Sequence, residues 1–219
     1  MSRTRKRASG NPAARPRVGG LPVPWVARWS DEEPSGSVRV TWTRKLNDAG
    51  QLDVLLRYAD ERSGDRDTFG WLWARADGPA TGTPQFGQLH PRRQRQCMDE
   101  LRCQVCGRRQ PTSRSTWLLP SSDMQTSPPR TTHAPVCPSC MRQALALCPH
   151  LSRGGWQAFS AQSVEPVGVY ADVYDPDTGR VQMKGTLPLT HPWAGRALAK
   201  QRVVALHGCE PFTAPSGSR

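Results

Sequence analysis

The sequence predicts an α+β fold, and three observations predict it. Short runs that alternate apolar and polar residues occur on both sides of the chain's middle. Two Cys-x-x-Cys pairs stand in that middle, and the helix-like stretches are few and short. The expected organisation is a basic disordered tail over 1–20 and a small β-rich part over 21–96. A four-cysteine segment follows over 97–151, then a C-terminal β-hairpin or sheet with a terminal helix over 152–209, and a loose tail over 210–219.

Each element has its own motive. Residues 1–20 hold six basic groups and no acid among Ser, Gly and Pro, a composition that buries too little apolar surface to fold. Leu21 to Trp29 carries Pro22, Pro24, Trp25 and Trp29, and is expected to cross the following domain in an extended form. In residues 37–45, Val38, Val40 and Trp42 share one face and Arg39 the other, a strand pattern. Asn47–Gly50 reads as a turn, Leu52–Tyr58 as a second strand and Phe69–Ala74 as a third, giving a small antiparallel sheet over 37–76. His90-Pro91 opens a helix to about Arg102, with the proline in the first turn, where no N–H is needed.

Downstream, Pro138 to Leu147 is a helix. Trp156–Ser163, Val167–Tyr174 and Val181–Leu187 are strands, the last two joined by the turn Asp175-Pro176-Asp177-Thr178-Gly179. Pro192 is expected to open a last helix to about Leu206, because Ala194, Ala197, Leu198, Ala205 and Leu206 broadly follow helical spacing.

Composition narrows the function classes. Only 36% of residues are hydrophobic, and 40 of 219 are Pro or Gly, while eight Trp supply apolar area for a modest core. No window approaches the ~20 apolar residues of a membrane helix, and the basic start lacks the apolar stretch of a secretory signal. Seven cysteines with two tight pairs suit metal-bound thiolates in a reducing cytoplasm better than a disulfide framework.

The formal charge of +12 is uneven. Residues 90–115 hold seven arginines (Arg92, Arg93, Arg95, Arg102, Arg108, Arg109 and Arg114) against Asp99 and Glu100, whereas residues 31–89 are net −3. A positive tail and a positive middle suit DNA or RNA. The competing explanation is codon composition, since 26 Arg against 4 Lys is what a GC-rich genome tends to encode. Trp71 and Trp73 flank Leu72 on a strand-like run, where core packing competes with stacking on bases.

The metal motif is the sharpest signal. In Cys103-Gln104-Val105-Cys106-Gly107, two intervening residues let both sulfurs reach one ion, and Gly107 permits the tight turn. Cys137-Pro138-Ser139-Cys140 is the second pair, at the start of a helix whose positive end favours a thiolate. Zinc is the first choice for four thiolates, with an iron–sulfur cluster as the alternative. Cys97 and Cys209 read as small buried hydrophobes. Cys148-Pro149-His150 is the rival ligand source, but at 1.5 Å per helical residue it lies about 12 Å from Cys140.

The order of knuckle, hairpin and second pair at a helix start resembles the treble-clef zinc finger, and within that group the four-cysteine HNH endonucleases. That family carries an Asp-His-hydrophobic-hydrophobic-Pro strand between its cysteine pairs. The comparable stretch here is Thr116-Trp117-Leu118-Leu119-Pro120, with Trp117 at the catalytic His position and Thr116 at the Asp. An indole neither activates water nor orients a metal, so the resemblance implies the scaffold without the nuclease. The whole chain is also similar to uncharacterised proteins of actinobacteria and their mobile elements. The shared features are Leu-Pro-Val-Pro-Trp near the start, Arg-Gln-Arg before the first pair and Cys-Pro-His after the second. That similarity brings no activity with it.

The sequence therefore predicts a non-catalytic, zinc-containing nucleic-acid-binding protein, linked by the resemblance to a mobile element or phage. Alternatives are a protein-interaction adaptor on a structural zinc finger, and a divergent HNH-like nuclease using His90, His133 and His150 if the fold assembles them.

Overall fold

A computed structural model describes residues 16–34, 40–46 and 52–213. Most of the expected basic tail, Val38 and Arg39 of the first strand, the turn at Asn47–Gly50 and the tail beyond residue 213 lie outside the described residues.

The fold is α+β. Four short strands come first: β1 (Arg17–Val18), β2 (Leu21–Pro22), β3 (Ala27–Trp29) and β4 (Glu33–Pro34). Next come β5 (Val40–Leu46), β6 (Leu52–Tyr58), β7 (Leu72–Trp73), β8 (Ala76–Asp77), β9 (Pro84–Leu89) and helix α1 (Pro91–Asp99). The middle holds β10 (Ser115–Pro120), a 3-10 turn, β11 (Arg130–Thr131), α2 (Pro138–Leu147) and α3 (Pro149–Ser152). The chain closes with β12 (Trp156–Ala161), β13 (Ser163–Tyr174), β14 (Val181–Pro188), β15 (Ala197–His207) and β16 (Glu210–Pro211).

Two sheets organise these strands. The larger runs β11-β15-β13-β14, with β7 also pairing on β15, and the smaller runs β10-β12-β16. The long β13–β15 ladder leads directly into the β12–β16 pair, so one stretch of chain serves both sheets. Helix α1 starts as expected, with His90 as its cap and Pro91 in the first turn. Its Cys97 and Met98 pack with Leu101, Trp117, Leu119, Phe159, Val204 and Leu206 in one buried cluster. A second cluster joins Trp71 and Trp73 to Val169, Ala171, Val173, Ala197 and Ala199, so both tryptophans are core residues and present no ring face for stacking on bases.

Three expectations need correction. Residues 192–206 do not form the terminal helix: a 3-10 turn at Ala194–Arg196 leads into β15. This strand has β13 on one edge and β7 and β11 on the other, and it is buried along most of its length. A strand covered on both faces reads as a continuous apolar run, which period alone does not separate from a helix. The antiparallel sheet expected over 37–76 is only the β5–β6 hairpin, because Leu72 and Trp73 pair in parallel with Leu198 and Ala199. Finally, the two strands between the cysteine pairs do not form a hairpin with each other. β10 pairs with β12 and β11 with β15.

Candidate metal centre and the arginine residues around it

β10 explains how the cysteine pairs meet. Side chains on a strand alternate between faces. Trp117 and Leu119 enter the α1 cluster, while Leu118 enters a separate cluster with Cys103, Val105, Val136, Cys140 and Met141. The strand thus divides the main core from the cysteine site. Backbone hydrogen bonds fix the two knuckles across it: Val136 N–H donates to the Thr116 carbonyl (2.9 Å) and Gln104 N–H to the Pro135 carbonyl (2.9 Å). Thr116 is buried and donates its hydroxyl to the Val136 carbonyl at 2.5 Å.

Within the first knuckle, Gly107 N–H donates to the Cys103 carbonyl (2.7 Å) and Cys103 N–H to the Arg108 carbonyl (2.8 Å), which closes the turn. Gly107 has φ +71°, and a Cβ there would lie 3.0 Å from the Trp25 ring. Glycine is therefore required both by the backbone and by the indole above it. The segment before β3 crosses this knuckle through a turn, closed by Ala27 N–H on the Pro24 carbonyl at 3.0 Å, and not fully extended as expected: Trp25 N–H and Val26 N–H donate to the Val105 and Gln104 carbonyls at 3.1 and 3.0 Å.

The ligand atoms of Cys103, Cys106, Cys137 and Cys140 all lie within 4.8 Å of one another, and Cys106 Sγ is 3.8 Å from Cys137 Sγ. Thiolates at about 2.3 Å from a tetrahedral zinc stand about 3.8 Å apart, so the spacing fits that ion. All seven cysteines are free of disulfides. Cys137 caps α2, with Pro138 in the first turn. Hydrogen bonds from Cys103 and then Cys140 pull the Cys137 thiol far below its ordinary range. The Cys103 thiol is driven the opposite way, by its hydrogen bonds to Cys137 and Cys140 and by burial. The sulfurs thus act directly on one another, and a cation replacing their protons would hold all four. The Arg108 guanidinium donates to Cys106 sulfur, which raises its own pKa. Cys97 is separate: it is fully buried, and burial pushes its thiol up to about 12.

Trp117, which the resemblance to HNH endonucleases would set at the catalytic His, is fully buried and donates Nε1–H to Ser115 Oγ at 2.8 Å. Of the three histidines considered for a nuclease, His133 and His150 both sit edge-on to the Trp156 ring, at 5.0 and 5.5 Å between centroids. His90 lies elsewhere, capping α1. The histidine–Trp156 group lines an apolar cleft of about 510 Å³ with Val26, Phe86 and Leu147.

The seven arginines separate by partner. Arg93 is structural: its guanidinium forks onto buried Glu32 at 2.7 and 2.6 Å and also donates to the Ala27 carbonyl. Burial alone would raise the Glu32 carboxyl, but hydrogen bonds from Arg93 and the Trp29 N–H bring it below the usual value. Arg102 and Arg109 share Glu100, at 2.8 and 2.5 Å, and Arg102 also donates to the Gly107 carbonyl. Arg114 bonds to Glu210 (2.9 Å) and to Ser160. Among the described residues, Arg92, Arg95 and Arg108 form no ion pair. Sequence reasoning missed Glu32 and Glu210 as partners, because they lie 61 and 96 residues away from Arg93 and Arg114.

No helix among the described residues is long and apolar enough to cross a membrane. Set beside family models, curated proteins and solved structures, the chain matches none of them.

Proposed function

We propose that this chain is a non-catalytic binding protein whose central fold is held by one structural zinc at Cys103, Cys106, Cys137 and Cys140, and that its ligand is DNA or RNA. The observation that carries the zinc is the 4.8 Å grouping of the four sulfur atoms. Support for the polyanion comes from the sorting of the arginines. Arg92 and Arg108 are exposed and form no ion pair among the described residues, and Arg109 and Arg114 sit in exposed pairs. Such surface pairs are worth about 0–1 kcal/mol, so a phosphate can replace the carboxylate at little cost. Arg93 is withdrawn from the binding set by its bond to buried Glu32. The non-catalytic reading rests on Trp117, whose ring fills core at the position that needs an exposed imidazole.

A gel shift over a range of salt tests the ligand. Each phosphate contact releases counterions, so affinity should fall steeply with salt, and Arg108→Ala with Arg109→Ala should weaken binding and flatten the slope. No binding to DNA or RNA at about 50 mM salt, where surface electrostatics are strongest, would remove the nucleic-acid reading. The second reading, an adaptor for a protein partner, is favoured by the apolar cleft beside α2, whose rim exposes Phe86, Leu89 and Leu147. Loss of partner capture on Phe86→Ser with nucleic-acid binding unchanged would support it. Plasmid left intact with magnesium or manganese is the expected result for a protein with no nuclease site.

A further inference from the structure

On the other side of α1 from the main core is a polar cavity of about 380 Å³, lined by Arg62, Arg75, Arg92, Arg95 and His90 together with Ser63. We infer that this cavity binds a phosphate monoester, gripped by the guanidinium groups of Arg92 and Arg95.

The partners of the lining groups decide the sign of the site. Its two carboxylates are already engaged. Asp65 bonds to Arg75 and to the Arg62 N–H, and Asp77 is paired with Arg62 at 3.2 Å. Arg75 is held between Asp60 and Asp65 and stacks over the Tyr58 ring. The two positive groups left over are on α1, three residues apart, so they project from one side of the helix. Arg92 is exposed and has no hydrogen-bond partner among the described residues. Arg95 lies over the Trp73 ring at 4.8 Å and bonds only to the Gly64 carbonyl, at 3.3 Å. It is half-buried without an ion pair, and burial lowers its pKa from the ordinary value. Asp99 and Asp67 act on it only at a distance, because both are bonded to Arg202.

A desolvated guanidinium gains most from an anion that accepts several N–H bonds at once. Phosphate does this with a planar fork and carries the two charges that match two free arginines. His90 is no added source of positive charge, since burial and Arg93 disfavour its charged form. Trp73 already carries Arg95 on its face, so the cavity offers no free ring for a base. The recognised group is the phosphate itself, borne by a small phosphorylated molecule or by the end of a nucleic-acid strand.

The test is thermal stabilisation and calorimetric titration of the full chain with inorganic phosphate at fixed ionic strength, against matched chloride. Saturable binding at one site per chain is expected, weakened at least tenfold by Arg92→Ala, which removes no hydrogen bond or ion pair among the described residues. Arg95→Gln should do the same. Arg108→Ala with Arg109→Ala should leave phosphate binding unchanged while weakening gel shifts of unphosphorylated strands, so failure here and failure of the nucleic-acid reading give different results. A nucleoside 5′-monophosphate binding more tightly than phosphate would identify a small-molecule source. A 5′-phosphorylated oligothymidylate preferred over its unphosphorylated form, with no gain for the mononucleotide, would identify a strand end. No saturable effect over chloride, or phosphate binding unmoved by Arg92→Ala and Arg95→Gln, would overturn the inference.

Discussion

At the scale of single residues, seven cysteines divide into two chemistries by neighbourhood alone. The four ligand sulfurs sit where each has other sulfurs within reach, while Cys97 is fully buried in a hydrophobic cluster with Met98, Trp117 and Val204. The spacing in the chain made the first group legible, because two residues between thiols is a geometric requirement for sharing an ion. Cys137→Ala is therefore expected to lose the metal, about one equivalent per chain by elemental analysis. It should also lower the melting temperature, because the proposed zinc would join the two knuckles across β10. Cys97→Ala should keep the full equivalent and cost only about 1–2 kcal/mol as a small core cavity. Equal metal contents in the two variants would sink the assignment of the four ligands.

At the scale of elements, legibility followed how local the determining contact was. α1 and α2 were readable because each has a proline in its first turn, a signal that acts within a few residues. The β13–β14 hairpin was readable from its Asp175–Gly179 turn, where the Asp175 carboxylate accepts from the Asp177 and Thr178 N–H groups. β7 was misread because its partner, β15, lies more than a hundred residues later, and β15 was misread because both its faces are covered. Ala199 distinguishes the two readings of that last element. In the helix expected there it lies outside the apolar positions, so Ala199→Leu would cost almost nothing on a solvated face. In β15 it is fully buried in the cluster with Trp71 and Trp73. The larger side chain must then displace packed neighbours, and Ala199→Leu is expected to destabilise by about 1–3 kcal/mol. An unchanged denaturation midpoint would reject the strand.

At the scale of the whole molecule, the charge that composition reports as one excess is divided by the fold into groups with different work. Arg202 shows this most clearly. It is buried on β15, bonds to Asp67 at 2.7 Å and Asp99 at 3.1 Å, and lies over Phe69 and Trp73, tying the β7 region and α1 to the large sheet. Titration of the folded protein should expose a comparable division among the histidines. His90 is lowered below its ordinary 6.5 by burial first and by the Arg93 guanidinium second, against the pull of Glu32 and a bond to the Ala76 backbone. His133 is lowered by burial first and by His150, against Asp123. In both, the folded protein binds its proton less readily than the unfolded chain. Around and below pH 6.5 the unfolded state then holds more protons, so stability is full above about 6.5 and is lost as pH falls toward the folded values. The lowered carboxyls, Glu32 and Glu100 among them, act in a separate window, with stability lost only below about 4.5. Melting temperature should thus begin to fall between pH 7 and 5.5, above the window of these lowered carboxyls. His90→Asn isolates the cause, because an asparagine oxygen can still accept the Arg93 N–H that His90 Nδ1 accepts at 3.4 Å. That variant should show a shallower decline over this range with zinc content unchanged at pH 5.5. A decline as steep as the parent's would place the lost stability in the metal centre instead of the buried imidazole.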